Sequence, residues 1–406
     1  MSISRLGFEQ LPHPGPSGMK TCESRLLATD KTISRLLLSS ILAGVLVSFL
    51  NVAFAIRHNS IKSQLCSTER QNEANVAALK QFYTKSIDLE VAHDNKKMGC
   101  SDLNVIAPYV RIVMDRYNYE RRQLIFDVGA NRGQDASMIF GVFQQVIGMC
   151  MPYAKSFKVV AIEPSPKVFC ELEELVQRRN WAPSAILRLN IGLSDKSGVV
   201  EFTDPGNEGG SLEGNVVMEL PEFSEQDLER MTSCLISDHK SYSVAGQRTF
   251  VNTYTMDRLV ESLELASIRE IDPADHILIL KIDTEGHDLH VIRGSKHLLA
   301  NKRISFVLFE VWTNQNLKAI VEFMDRHDYL CFIIFPTMLV PVHAVDWWYP
   351  HLDNFTSVWW GNGFCGIRDS PSLSLLYKAF HADSDFLTDA YHVVMKRSTP
   401  LTHTAR

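Results

Sequence analysis

The sequence predicts an α/β protein: an open, mostly parallel, doubly wound sheet behind one N-terminal membrane-spanning helix. Three observations predict it. Short apolar runs (LIFDVG, KVVAIEP, AILRLNIGL, HILILKID and SFVLFEV) alternate with segments of helical period. The first of these runs delivers the chain into a glycine-bearing turn that opens a helix. Residues 36–56 form a single uncharged apolar stretch.

Composition bounds the reading. A chain of 406 residues, 45% hydrophobic and 22% charged, is ordinary globular material, enough for one large or two modest domains. The net charge of −6, without any cluster of Lys and Arg, excludes a nucleic-acid partner, since phosphate neutralisation needs such a cluster. Eight cysteines occur, none as C-x-x-C, which excludes a zinc ribbon or a thioredoxin-like pair. They leave room for two or three disulfides that spacing alone does not pair.

Residues 1–35, with Pro12, Pro14, Gly15, Pro16 and Gly18, read as a disordered cytoplasmic tail. The run from Leu36 to Ile56 is closed by Arg35 and Arg57, and its roughly 21 residues match a hydrocarbon layer of ~30 Å. Ala53-Phe54-Ala55 would suit a signal-peptide cleavage site, but the run exceeds the usual signal core and its leader is long. An uncleaved signal-anchor is the expectation. Five basic residues (Arg5, Lys20, Arg25, Lys31, Arg35) precede it and three (Arg57, Lys62, Arg70) follow closely. That mild bias puts the N-terminus in the cytoplasm and the rest across the bilayer, in agreement with the sequon Asn354-Phe355-Thr356. Residues 57–105 read as a stem, 106–370 as the folded domain and 371–406 as a tail. Strand–helix alternation after about residue 120 implies parallel β-α units. In SPKVFCELEELVQRRN, Val168, Leu172 and Leu175 recur at helical spacing. Residues 213–248 break the rhythm and read as an insertion or lid, and the Trp- and Gly-rich stretch after Phe335 has no assignable structure.

The chemistry-bearing residues cluster at strand ends. Asp127-Val128-Gly129 and Gly133 form a D-x-G-x-x-x-G turn, where glycine permits a sharp bend and close ligand approach. Asp127 offers a carboxylate to a cationic ligand. Glu163, at the tip of the second strand, is placed to accept two ribose hydroxyls or to charge a helix N-terminus. The third strand ends near Asn190, with Ser194 and Asp195 beyond it, where an adenine edge can be read. Lys281, Asp283, Glu285 and His287 follow the fourth strand, Lys281 and Asp283 on one side by period-2 alternation. Asp283 or Thr284 can equally cap a helix. His287 and His290 complete no metal-ligand set, so no metal is expected.

FDVGANRG, AIEPSP, NIGLSDKSG, TMDRL, LKIDTEGHDLHVIRG and VLFEV, in that order, resemble the FkbM-type methyltransferases over about residues 124–335. The resemblance implies the class I methyltransferase, Rossmann-like fold, S-adenosylmethionine as cofactor, and methylation of a hydroxyl on a glycan, lipid or small metabolite. It carries cofactor roles to Asp127, Gly129, Asn131, Gly133, Glu163, Asn190 and Asp283. A hydroxyl acceptor needs a base or a desolvated site, and Asp283, Glu285 and His287 are the candidates. The anchor, the long span from Gly133 to Glu163 and the 213–248 insertion depart from the pattern and leave the acceptor open. A lumenal glycosyltransferase of the same anchored layout and an inactive cofactor-binding module are the alternatives.

Overall fold

The computed structural model describes residues 105–106, 109–110, 112–113, 122–140, 157–204, 210–218, 220, 225–234, 247–265, 270–311, 317–335, 338–344, 347–348 and 361–382. All lie in one compact unit, Val76–Arg406. The apolar segment 36–56, the tail, most of the stem and the sequon at Asn354 lie outside the described residues. Among the described residues no helix is long and apolar enough to cross a membrane.

The apolar runs become strands because their residues are buried on both faces, as a sheet covered by helices on each side demands. The first strands are β1 (Gln123–Val128) and β2 (Phe157–Ile162), buried throughout. Helix α1 (Pro166–Arg179) follows, with Ser165 accepting the Val168 N–H, Pro166 at the first turn and Asn180 ending it left-handed. Next come β3 (Ile186–Leu189), β4 (Gly192–Leu193), β5 (Gly198–Asp204) and β6 (Ser211–Met218). Then follow α2 (Glu225–Thr232), β7 (Gln247–Tyr254) and α3 (Met256–Glu264). The central strand β8 (His276–Ile282) leads into two short helices, α4 (Asp288–Arg293) and α5 (Lys296–Ala300). The last third supplies β9 (Ile304–Val311), α6 (Leu317–Arg326), β10 (Tyr329–Ile334), β11 (Leu339–Pro341), β12 (His343–Ala344), β13 (Trp347–Trp348), β14 (Gly361–Ile367) and α7 (Pro371–Phe380).

The main sheet has the order β11-β10-β14-β9-β8-β1-β2-β3. From β3 to β9 the strands run parallel, whereas β14 is antiparallel to both β9 and β10. Chain order reverses direction between β1 and β8, so their carboxyl ends flank the crevice where open α/β sheets take ligands. One core runs through this sheet, from Ile106 to Phe380.

Two expectations about boundaries change. Residues 213–218 and 247–248 of the irregular stretch belong to a second sheet, β4-β7-β5-β6, that begins at Gly192, well before residue 213. Its strands are half polar because one face looks outward, with Phe250 64% exposed and Val200 and Phe202 buried. At the far end, the fold does not stop at 370. Leu373, Leu376 and Tyr377 of α7 have no exposed surface, and the Phe380 ring packs on Tyr109 at 4.7 Å between centroids.

Two disulfides form, Cys170–Cys234 and Cys331–Cys365. The first ties α1 to the segment after α2, and the second joins registered residues of β10 and β14.

Candidate active site

The turn after β1 is built from left-handed backbone. Gly129, Asn131 and Gly133 have φ of 76°, 48° and 84°. A side chain on Gly129 would place its Cβ 1.7 Å from the Asp283 carbonyl oxygen, and one on Gly133 would meet Leu172 and Leu175 of α1. Gly129 and Ala130 both donate to the Ile162 carbonyl at 2.9 Å, which draws the turn over the end of β2. Glu163 is 7% exposed and accepts the backbone N–H of Asn131 at 2.9 Å and of Ser165 at 2.8 Å. It therefore binds the turn to the α1 cap as well as standing at the strand tip. The Asn190 amide donates to the carbonyls of Glu163 and Pro164 at 2.8 and 3.1 Å, and its own N–H reaches the Met231 carbonyl.

Around Lys281 four charges meet. Its ammonium lies 3.2 Å from Asp127, 2.7 Å from Asp135 and 3.3 Å from Asp283. Burial works against the lysine's charge, yet the three carboxylates hold its pKa well above the usual lysine range. Asp127 has no exposed surface, and burial pushes its pKa up to about 6, with Lys281 opposing and Asp135 and Asp283 adding. The structure thus turns Asp127 inward, as the counter-ion of Lys281, where the sequence placed it against a ligand. Asp283, with 40% of its side chain exposed, and Asp135, with 23%, line the open side instead. Three carboxylates against one ammonium leave a cup with two net negative charges.

Beyond β8 the chain again turns left-handed, at Glu285 (φ 51°) and Gly286 (φ 96°), before α4 begins. Such backbone in a non-glycine residue costs about 1–3 kcal/mol and gathers at functional sites. The alternative reading, a helix cap at Asp283 or Thr284, is not what forms. His287 occupies the N-cap without a side-chain cap bond, and the fully buried Asp288 accepts the Thr284 hydroxyl at 2.5 Å and the Glu310 N–H at 2.9 Å. Ser194 directly follows β4. Because β4 turns away from the main sheet, its hydroxyl sits 3.0 Å from Nε2 of His287. The His287 ring stacks on His290 at 4.4 Å, and burial first, then His290, push its pKa down to about 4 against the pull of Asp195.

The structure therefore brings Asp127, Gly129, Asn131, Gly133, Glu163 and Asp283 to one crevice, with Glu285 and His287 on its β8 side and Asn190 at its β3 side. Sequence reasoning missed Asp135, Asp288 and the Ser194–His287 contact. Asp135 had one available signal, an acid in the first turn of the helix over 134–140.

This crevice lies at the switch point of an open α/β sheet, where such folds take ligands. A family model described as the FkbM methyltransferase domain matches residues 127–331, about half of the chain, and the chain belongs to that family. It is similar to the hexuronic acid methyltransferase AglP of Haloferax volcanii, 26% identical over 225 residues covering 55% of this chain and 70% of the relative. Among solved structures, methyltransferase FkbM from Methylobacillus flagellatus KT aligns over 61% of this chain at 13% identity and a TM-score of 0.33. The chain spans 43% of that structure's length.

Proposed function

We propose that this methyltransferase uses S-adenosylmethionine to methylate a hydroxyl on a glycan, lipid or small metabolite. The observation that carries the donor reading is the cup of Lys281, Asp127, Asp135 and Asp283, whose net negative charge complements a sulfonium cation. Glu163 stands at the strand tip for the ribose, Gly129 to Gly133 supply the close turn, and Asn190 borders the base. The donor supplies the methyl group; the chain's residues orient it, exclude water and take the acceptor's proton. Of the three candidate bases, Asp283 is committed to Lys281. His287, with its pKa lowered, is neutral at pH 7 and able to accept. The relative named for hexuronic acid favours a sugar among the acceptor classes.

Calorimetry on the full chain is expected to show saturable S-adenosylhomocysteine binding, tighter than that of NAD or a nucleotide sugar. Glu163→Ala removes a charged acceptor and should weaken binding by about 1.5–3 kcal/mol, roughly 10- to 150-fold. Tighter binding of a dinucleotide would end the donor reading.

We also propose that residues 36–56 anchor the chain in a membrane with its domain on the extracytoplasmic side. Two disulfides within an α/β enzyme support this side, because thiols stay reduced in the cytosol. In sealed, cytoplasm-out vesicles the domain is expected to resist added protease until detergent is present. Digestion without detergent would place it in the cytoplasm.

A further inference from the structure

Four polar groups outside the cofactor cup form a chain. Asp195 accepts the Ser194 hydroxyl on Oδ1 at 3.3 Å, and its Oδ2 lies 3.2 Å from Nδ1 of His290. Ser194 Oγ lies 3.0 Å from Nε2 of His287. In this arrangement the one hydroxyl proton of Ser194 goes to the Asp195 carboxylate, which only accepts. Its oxygen then faces His287 as an acceptor, which requires the proton on Nε2. Nδ1 of His287 keeps its lone pair.

The group is clamped from both sides. The Ser194 N–H donates to the Tyr254 carbonyl at 2.9 Å. On the other side α4 ends against it, for a Cβ at Gly294 would stand 2.1 Å from the Ser194 carbonyl oxygen. Ser194 is 8% exposed, and the stacked His290 ring limits rotation of His287.

We propose that Ser194 and Asp195 are positioning residues that hold His287 in its Nε2–H tautomer and so leave Nδ1 to accept the acceptor hydroxyl's proton. The proposal rests on the reading of His287 as the base. In the step it serves, the acceptor O–H bond breaks and its proton passes to Nδ1. The oxygen's electron pair forms the new bond to the methyl carbon, and the pair of the broken carbon–sulfur bond stays on sulfur. The imidazolium that results has its Nε2–H directed through Ser194 to the Asp195 carboxylate. His290 and Asp195 are the titratable groups that act on His287.

The test uses the full-length chain labelled with 15N-histidine, the His287 signals being those lost in His287→Ala. At neutral pH, His287 is expected to show a protonated Nε2 and a bare Nδ1. Asp195→Asn introduces an amide that donates to Ser194, which turns the hydroxyl proton toward Nε2 and moves the ring proton to Nδ1. Turnover should fall with it, by about 10²–10⁴-fold, while S-adenosylhomocysteine affinity stays within about two-fold. A protonated Nδ1 in the unaltered chain, or an unchanged tautomer in Asp195→Asn, would overturn the proposal alone. Full turnover in His287→Ala would remove the base reading and this proposal with it.

Discussion

Lys281→Met is expected to lower the melting temperature by on the order of 10 °C at pH 8, the largest stability effect of any single change in the crevice. Lys281 is nearly enclosed and faces Asp127, which has no contact with water. Removing one partner of a buried pair costs about 3–5 kcal/mol, and a domain of this size loses about 2–4 °C per kcal/mol. The loss should shrink at low pH. Asp127 titrates at about 6 in the fold against an ordinary 3.8, so the folded state binds its proton more tightly between those values. Its contribution favours folding below about pH 4 and is lost as pH rises through about 6. Without Lys281 that pKa climbs further, so the variant approaches the parent at pH 5. His287 and His381 act oppositely: their pKa values fall from 6.5 to about 4, so stability rises with pH across that window. Parent and variant must therefore be melted at each pH, by circular dichroism. Asp127→Asn in the Lys281→Met background should recover much of the loss. A melting point unchanged by Lys281→Met would show that the four charges do not meet as described.

His287→Ala is expected to reduce turnover by about 10²–10⁴-fold with cofactor affinity nearly unchanged. Its melting temperature should move modestly, because His287 makes no side-chain cap bond and forfeits the Ser194 contact, about 0.5–1.5 kcal/mol, and the stacking on His290. Asp283→Asn should behave differently, weakening cofactor binding as well as rate, since it removes one of the carboxylates around Lys281. Glu285→Gln separates a carboxylate base from a residue that only shapes the left-handed turn. Methyl transfer, calorimetry and melting on the three purified variants divide these outcomes. Full turnover in all three would move the base elsewhere, first to the 213–248 segment.

The parallel strands were legible because each is a mostly apolar run, and a run buried on both faces needs no partner to announce itself. Strand β14 was not: GNGFCGI draws its apolar packing from neighbours, and Gly363 lies where a side chain would strike the Phe309 ring. The second sheet hid for the opposite reason, its outward face being polar enough to read as loop. At the crevice, local spacing placed Gly129, Glu163 and Asp283 at strand ends, since strand ends are a local property. It did not reveal that Asp135 and Lys281 converge at 2.7 Å, because that contact depends on how β1 and β8 pair. Nor did it show Ser194 beside His287, which follows from β4 leaving the main sheet.

The position of β14 bears on how this chain comes into being. Among the described residues it is the last strand in the chain, yet it lies between β9 and β10, and the family-defined stretch ends at residue 331, before it. Until residues 361–367 arrive, β9 and β10 have a missing rung between them and each exposes a row of unmatched peptide groups. A polypeptide cut at 331 is therefore no smaller enzyme but an interrupted one, with two sticky edges. Closure of the sheet has to wait until residues 361–367 have been made, and any helper that shields nascent chains must hold this one until then.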